Sequence, residues 1–257
     1  MKTNFEKVID FNNCFGSYVS NSLNSDLFKT DPKLVDLKYS LINEEVHELF
    51  DAFNNKDVTE IVDALSDIKY VLYGMAAAFG INMDIEYRDY LSLYVSTIEL
   101  TNASNFDLIK EHYKFPHKIT DYKDNCNIEY FNTTNVSFIT IIENINNDLK
   151  VNIEYSTIVN LRINLCKLLY YVNKMGCFIG INLDESFKIV HDSNMTKVCN
   201  NEQLAKDTVN WYLDNDDRYK SPSYRKNEYG YVVYNKDTGK ILKSIHYVPA
   251  DFELLLT

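Results

Sequence analysis

The sequence predicts an all-α protein, an antiparallel helical bundle with a helical insertion and a short C-terminal β-hairpin. Apolar residues recur every three to four positions in the segments 34–53 and 57–79, which is the spacing of one face of a helix. A short polar break at 54–56 separates these segments, so the two helices can fold back on each other.

Several local signals place the ends of the first helices. An opening helix is predicted over 4–20, with an apolar stripe of phenylalanine, valine and isoleucine. Pro32 stands where the first turn of the next helix tolerates proline. Asp57 and Glu60 make a capping box for the helix predicted over 57–79, and Gly80 predicts the end of that helix.

The rest of the chain is less regular. A second long helix is predicted over 156–179, a further helix over 184–198, and a β-hairpin around a turn at 235–239. The middle of the chain offers three weaker helical candidates, namely Tyr87–Leu100, Phe106–Lys114 and Phe138–Leu149. The predicted organisation is therefore 1–84 as the N-terminal half of the helical core with a metal site, 85–150 as an insertion, 151–200 as the C-terminal half of the core, and 201–257 as a polar linker and hairpin tail.

Five carboxylates mark the two helices on either side of the 54–56 break. Glu45 and Glu48 stand three apart, and Glu60, Asp63 and Asp67 stand at i, i+3 and i+7, so each set lies on one face of its helix. Clustered negative charges repel one another unless a cation relieves them. All-oxygen ligands, with no His or Cys at matching spacing, favour Mg²⁺ or Mn²⁺ over Zn²⁺. The alternative is that these acids are only the solvated faces of amphipathic helices.

The order EExxE over 44–48 and ExxD over 60–63 resembles the all-alpha NTP pyrophosphatase superfamily, which includes MazG-like and phosphoribosyl-ATP pyrophosphohydrolase-like proteins. The longer run EIVDALSDIKYVLYG and the later segment HDSNMTK make the resemblance more specific. The resemblance implies the helical bundle of that superfamily. It also implies that Mg²⁺ is bound by Glu45, Glu48, Glu60 and Asp63, with Asp67 as a further ligand or an orienting residue.

The activity that the resemblance implies is hydrolysis of a nucleoside triphosphate, NTP or dNTP, to the monophosphate and pyrophosphate. Water would attack the α-phosphorus, and Glu44 or Glu48 would accept its proton. Such an enzyme would clean or regulate the nucleotide pool. The sequence leaves the base and the sugar undetermined.

Four further residues are candidates for substrate binding. Lys197 is a candidate phosphate ligand, and Asn194 is a candidate donor to a sugar or base. His191 lies in the same HDSNMTK segment, although a lone helical histidine is more often a structural residue. Arg225 is predicted on a loop, where it either reaches the triphosphate or remains an exposed surface charge.

The two long helices share a pattern at an offset of 100 residues. GINMD after the first recurs as GINLD after the second, and matches within the helices extend the pattern. The acids do not recur, because Asn160, Ile163 and Lys167 stand opposite Glu60, Asp63 and Asp67. An internal duplication and a shared helix-stop pattern are both open explanations. The chain either forms a homo-oligomer, or its insertion and second half replace a partner subunit.

Charge and composition exclude other classes. The net charge of −11 leaves no basic stripe for nucleic acid, and no apolar run reaches the length of a membrane span, so we expect a cytoplasmic protein that binds neither nucleic acid nor membrane. The five cysteines are scattered without a CxxC pair and are predicted to be buried free thiols.

Two other functions compete with hydrolysis. A di-iron carboxylate bundle needs two ExxH pairs, and the chain offers only Glu44-Glu45-Val46-His47. A non-hydrolytic nucleotide-binding or scaffold protein of the same fold is the other alternative.

Overall fold

A computed structural model describes residues 2–94 and 128–256, with the backbone alone at 94 and 128–137. The described chain is mainly α-helical, as predicted, with one antiparallel two-stranded sheet near the C-terminus. Its α-helices are α1 Asn4–Phe15, α2 Leu27–Thr30, α3 Pro32–Asn55, α4 Val58–Ala78, α5 Met83–Tyr94, α6 Ile128–Glu154, α7 Ile158–Phe178, α8 Leu183–Met195 and α9 Glu202–Asn215. The strands are β1 Pro222–Asn227 and β2 Gly230–Asn235, and a 3₁₀ turn follows at Glu253–Leu255. None of the described helices has the length and apolar character needed to cross a membrane.

Two helical hairpins form the bundle. Helix α3 packs against α4, α6 packs against α7, and the hairpins join through contacts of α4 with α7 and of α3 with α6. The largest apolar side chains of these seams, among them Ile42, Leu65 and Leu168, are inaccessible to solvent. Burial of such a side chain stabilises a fold by about 1.5–3 kcal/mol, so this shared core holds the two hairpins together.

The α3–α4 hairpin begins and turns where its sequence dictates. Asp31 caps α3 by accepting a hydrogen bond from the Leu34 amide at 3.0 Å, with Pro32 in the first turn. Lys56 adopts left-handed backbone geometry at φ 56° and ends the helix. Asp57 then caps α4 by accepting from the Glu60 amide at 3.1 Å. The N-cap is confirmed, whereas the return bond that would complete the capping box is not among the hydrogen bonds of the described residues.

The second hairpin repeats the geometry of the first at an offset of 100 residues. Helices α4 and α7 begin at 58 and 158 and end at 78 and 178. Left-handed backbone occurs at Lys56 and Ser156 before these helices, and at Gly80 and Gly180 after them. The predicted Gly80 stop is confirmed, and the sequence similarity extends to matching backbone turns.

The third helix of each half crosses to the other half. Helix α8 packs mainly against α4, where the Ser66 and Ser186 hydroxyls are 2.7 Å apart. Helix α5 packs against α7, where Arg162 forms an ion pair with Glu86 at 2.5 Å. This exchange brings the HDSNMTK segment, residues 191–197, to the face of α4.

The structure changes several predicted boundaries. The opening helix ends at Phe15 rather than near residue 20, because Gly16 turns left-handed at φ 63°. The candidate 87–100 falls partly in α5, the candidate 138–149 lies inside the longer α6, and the candidate 106–114 lies outside the described residues. Helices α5 and α6, which the prediction gave to an insertion, contribute to the bundle; the division into four segments stays a prediction.

The tail contains a helix that the prediction missed. Asn201 caps α9 by accepting from the Leu204 amide at 2.9 Å, and a buried stripe of Leu204, Ala205, Thr208 and Tyr212 faces inward. The predicted hairpin is displaced, since β2 pairs with the preceding β1 through a turn after Asn227. The predicted turn at 235–239 does reverse the chain, but it leads only to an isolated bridge between Tyr234 and Ile241.

The cysteine prediction holds for the residues that can be examined. Cys14, Cys166, Cys177 and Cys199 are buried and free of disulfides. Cys126 lies outside the described residues.

One buried charge in the α3–α4 seam predicts a measurable stability effect. Lys38 is 7% exposed, and its Nζ atom lies close to Gly74 of α4. A Cβ atom added to Gly74 would be 3.6 Å from it. Burial lowers its pKa from 10.5 to about 8, because the charged form loses its hydration. Below pH 8 the lysine is charged in the folded and unfolded states, and the penalty is complete. Between pH 8 and 10.5 the folded state loses its proton first, so stability should rise until the penalty disappears.

We therefore expect Lys38→Met to raise the free energy of unfolding at pH 7 by about 3 kcal/mol, at 1.36 kcal/mol per pKa unit. The gain should shrink towards zero near pH 10.5. Urea unfolding at pH 7 and pH 10 would measure it, with Lys33→Met as the control because Lys33 is an exposed lysine of the same helix. Equal gains at both pH values would contradict the buried-charge explanation.

Candidate active site

The carboxylates of α3 and α4 face each other across the hairpin. Glu45 experiences the charge of Asp67 on α4, and Asp63 and Asp67 both experience the charge of Glu48 on α3. Glu60 acts on Asp63 from the same helix, three residues away. The fold therefore brings the five predicted metal ligands to one region of the seam, with Glu60 at its exposed rim.

Burial and repulsion between neighbouring carboxylates make Glu45, Asp63 and Asp67 hard to ionise. Loss of hydration is the largest cause, and it raises the pKa of Glu45 from 4.5 to about 9, with Asp67 and Glu48 adding to the effect. Burial together with Glu60 raises the pKa of Asp63 to about 6, and burial together with Asp63 raises that of Asp67 to about 7. The protein itself leaves this cluster short of positive charge.

The chemistry of the cluster fits a hard divalent cation, although its side chains are not gathered into a coordination shell. Oxygen Oε2 of Glu45 is buried without a hydrogen-bond partner among the described residues, so a carboxylate oxygen is left without compensation. All five donors are carboxylates, which suit Mg²⁺ or Mn²⁺. Within the described residues, however, no three His, Cys, Asp or Glu side chains already lie close enough together to hold a metal ion.

Lys197 brings a positive charge to the same region. It lies two residues after the end of α8, and its charge acts on Asp63, Asp67 and Glu45. Burial lowers its pKa from 10.5 to about 8, and the nearby Asp67 opposes that change. The crossing of α8 onto α4 therefore places the predicted phosphate ligand beside the carboxylates.

Asn194 and His191 meet Tyr70 on α4 instead of the carboxylate cluster. His191 Nδ1 lies 3.0 Å from the Tyr70 hydroxyl, and the two rings are stacked. The buried Asn194 amide also hydrogen-bonds with Tyr70 and lowers its pKa, although burial raises that pKa on balance. Burial lowers the pKa of His191 as well. These contacts anchor α8 against α4, and a role in substrate binding stays a prediction for both residues.

Two predicted site residues have partners elsewhere. Glu44 accepts hydrogen bonds from Lys240 Nζ at 2.8 and 2.7 Å, so its carboxylate is engaged by the C-terminal tail. Arg225 lies in β1 and not on a loop. It donates to the Phe15 carbonyl at 2.5 Å, which fixes the sheet against the end of α1, and it stacks over the Tyr234 ring of β2 at 4.6 Å.

The sequence reasoning missed one residue near the cluster. Lys243, in the segment after β2, is exposed, and its charge lowers the pKa of both Asp63 and Asp67. Its distance of 176 residues or more from the acids in the chain gave no local signal. The only hint was the density of lysines in KDTGKILK, between residues 236 and 243.

Comparison with known proteins finds a family match over the acid-bearing hairpin. Residues 16–88, which contain the five acids, match the family model of phosphoribosyl-ATP pyrophosphohydrolase. A relative, the uncharacterized protein L479 of Acanthamoeba polyphaga mimivirus, is 32% identical over 261 residues, which cover 99% of this chain and 96% of the relative. No solved structure matches the chain significantly. The match over the acid-bearing hairpin supports a pyrophosphohydrolase-type activity, and the chain belongs to the all-alpha NTP pyrophosphatase superfamily.

Proposed function

We propose that this protein is a Mg²⁺-dependent nucleoside triphosphate pyrophosphohydrolase, with Mn²⁺ as a possible substitute metal, which converts an NTP or dNTP to its monophosphate and pyrophosphate. The observation that carries the proposal is the convergence of Glu45, Glu48, Asp63 and Asp67 in one partly buried seam with Lys197 beside them. A surplus of uncompensated carboxylates next to a lysine suits a substrate that arrives as a metal–phosphate complex.

The acids would hold the cation between α3 and α4. Glu45, Glu48, Glu60 and Asp63 are the proposed ligands, and Asp67, at the deeper end of the seam, is a further ligand or orients one of the others. When bound, Mg²⁺ would neutralise phosphate charge and lower the pKa of the attacking water. Because Glu45 Oε2 has no other described partner, the cluster gains most from a cation at that point.

Glu48 is the better placed of the two candidate bases. Glu44 is held by an ion pair with Lys240, so the C-terminal tail already engages its carboxylate. Glu48 faces the acids of α4 and hydrogen-bonds with Glu45. We infer that Glu48 accepts the proton of the water that attacks the α-phosphorus, while Lys197 binds the phosphates.

A non-hydrolytic binding protein is the second candidate function. The observation that favours it is that the described acids are not already gathered at metal-binding distances. Such a protein would bind a triphosphate without releasing pyrophosphate. The di-iron alternative loses support, because the chain offers only one ExxH pair and its His47 is exposed.

Pyrophosphate release tests the proposed activity directly. With Mg²⁺ or Mn²⁺, a screen of the NTPs and dNTPs should find a substrate for the wild type. Glu48→Gln and Asp63→Asn should then each lower kcat for that substrate. The expected loss is at least about 10²-fold, the usual contribution of a general base. Both variants should remain folded, because neither side chain lies in the apolar core.

Asp148→Asn is the matched control, since Asp148 is exposed on α6 at the position offset by 100 residues from Glu48. It should keep wild-type turnover. Wild-type activity in both test variants would refute the site assignment. Tight triphosphate binding by the wild type without pyrophosphate release would favour the non-hydrolytic candidate.

Metal addition should stabilise the protein through the same acids. A ligand at 100 times its dissociation constant stabilises the folded state by about 2.7 kcal/mol. We expect Mg²⁺ or Mn²⁺ to raise the melting temperature of the wild type, and EDTA to reverse the increase. Asp67→Asn should stabilise the metal-free protein, on the order of 1 kcal/mol, because it removes one of several mutually repelling charges.

The same variant should show a smaller response to metal, whereas Asp36→Asn should respond as the wild type does. Asp36 is exposed on α3, nine residues before Glu45 and on the opposite helix face. A variant Asp67→Asn that melts earlier without metal and keeps the full metal response would count against a repelling, metal-binding cluster.

A further inference from the structure

The segment 240–248, here called the tail segment, runs past the carboxylate cluster and is fixed at several points. The Tyr212 hydroxyl of α9 donates to the Lys243 carbonyl at 3.1 Å, and the Ile245 amide donates to Thr208 Oγ1 at 3.3 Å. Leu242 and Ser244, on either side of Lys243, are buried. The backbone of Lys243 is therefore fixed, although its side chain is exposed.

The end of α8 fixes the other part of the tail segment. The Val248 amide donates to Thr196 Oγ1 at 2.9 Å, and Ser193 Oγ donates to the Val248 carbonyl at 2.7 Å. Ser193 Oγ also lies 2.8 Å from the Tyr247 hydroxyl. These bonds join the tail segment to the residues immediately before Lys197, so the two lysines are held in a defined relation.

Tyr247 lies between the two lysines. Lys243 Nζ is 4.7 Å from the centre of the Tyr247 ring, and Lys197 Nζ is 5.9 Å from the same centre. An aromatic ring attracts an ammonium group at such distances. The ring thus gives both lysines a common support that is not a carboxylate.

Neither Lys197 nor Lys243 forms an ion pair with a described carboxylate. Among the described residues, no carboxylate lies within 4 Å of Lys197 Nζ or Lys243 Nζ, whereas Lys240 of the same segment does pair with Glu44. Both free lysines nevertheless act electrostatically on Asp63 and Asp67. Two ammonium groups that share the Tyr247 ring therefore act on the same carboxylates without pairing with them.

We propose that Lys243, together with Lys197, binds the terminal phosphates of the substrate, which leave as pyrophosphate. The assignment rests on the proposed function for the identity of the anion. It makes the tail segment part of the active site, with α9 and the end of α8 positioning Lys243. Ammonium groups bind phosphate oxygens through charge-assisted hydrogen bonds.

The rival explanation is that Lys243 only neutralises the carboxylates. The two explanations differ in sign when metal and phosphate are titrated separately. Removal of a cation beside the acids should leave Mg²⁺ binding unchanged or tighter, because the carboxylates then compete less with an internal charge. The same removal should weaken binding of a phosphate anion if Lys243 contacts it.

Isothermal titration of the full chain with imidodiphosphate, a pyrophosphate analogue that resists hydrolysis, would test this in the presence of saturating Mg²⁺. Lys243→Met should weaken binding about 10-fold to 100-fold, the range for loss of one hydrogen bond to a charged group. Lys243→Arg should restore most of the affinity. Lys236→Met, at an exposed lysine between β2 and the tail segment, should bind as the wild type does.

The proposal is overturned if Lys243→Met binds imidodiphosphate as tightly as the wild type, if Lys236→Met weakens binding equally, or if the wild type does not bind it. It is also overturned if Lys243→Met loses Mg²⁺ and imidodiphosphate affinity together. Failure of the proposed function is a separate result, because imidodiphosphate binding that depends on Lys243 would stand even if no nucleotide released pyrophosphate.

Discussion

The structure depends on the packing of α3 against α4 with carboxylates of both helices in the seam. The burial that fixes this pair also removes water from Glu45 and Asp67, which raises their pKa values. Completely buried side chains such as Ile42, Leu49 and Leu65 flank the acids along the same helices and contribute about 1.5–3 kcal/mol each. The apolar part of the seam offsets the repulsion within its polar part. The hairpin can therefore hold the acids close together although they repel one another.

Helix α8, helix α9 and the tail segment bring positive charge to this hairpin. Helix α8 crosses from the second half and places Lys197 beside the acids, and α9 fixes the backbone of Lys243. Lys240 occupies Glu44. The acids come from the first 67 residues, whereas the cations come from the last 61. The proposed site therefore needs both ends of the chain folded together, whereas the family match covers residues 16–88 alone.

The sequence predicted those features that are set by local chemistry. The Pro32 start, the Asp57 cap and the Gly80 stop follow from backbone requirements that a few residues express. The spacing of the acids likewise fixed their faces. Helix α9 was missed because its apolar stripe is short and interrupted by polar residues, and Lys243 was missed because its position depends on tertiary contacts 31 or more residues away. Arg225 looked like a loop charge because the pairing of β1 with β2 was misplaced.

Comparison of the two halves separates what the fold needs from what the acids add. The hairpins share helix bounds and left-handed turns at an offset of 100 residues, yet Ile145, Ile163 and Lys167 stand at the positions of Glu45, Asp63 and Asp67. Of the five acids only Glu48 has an acidic counterpart, Asp148, so a hairpin with the same turns forms without the other four. Repelling charges that the backbone does not need, kept in the half that α8 and the tail segment cover, fit the proposed binding role better than a structural role. That argument favours a single functional site in each chain.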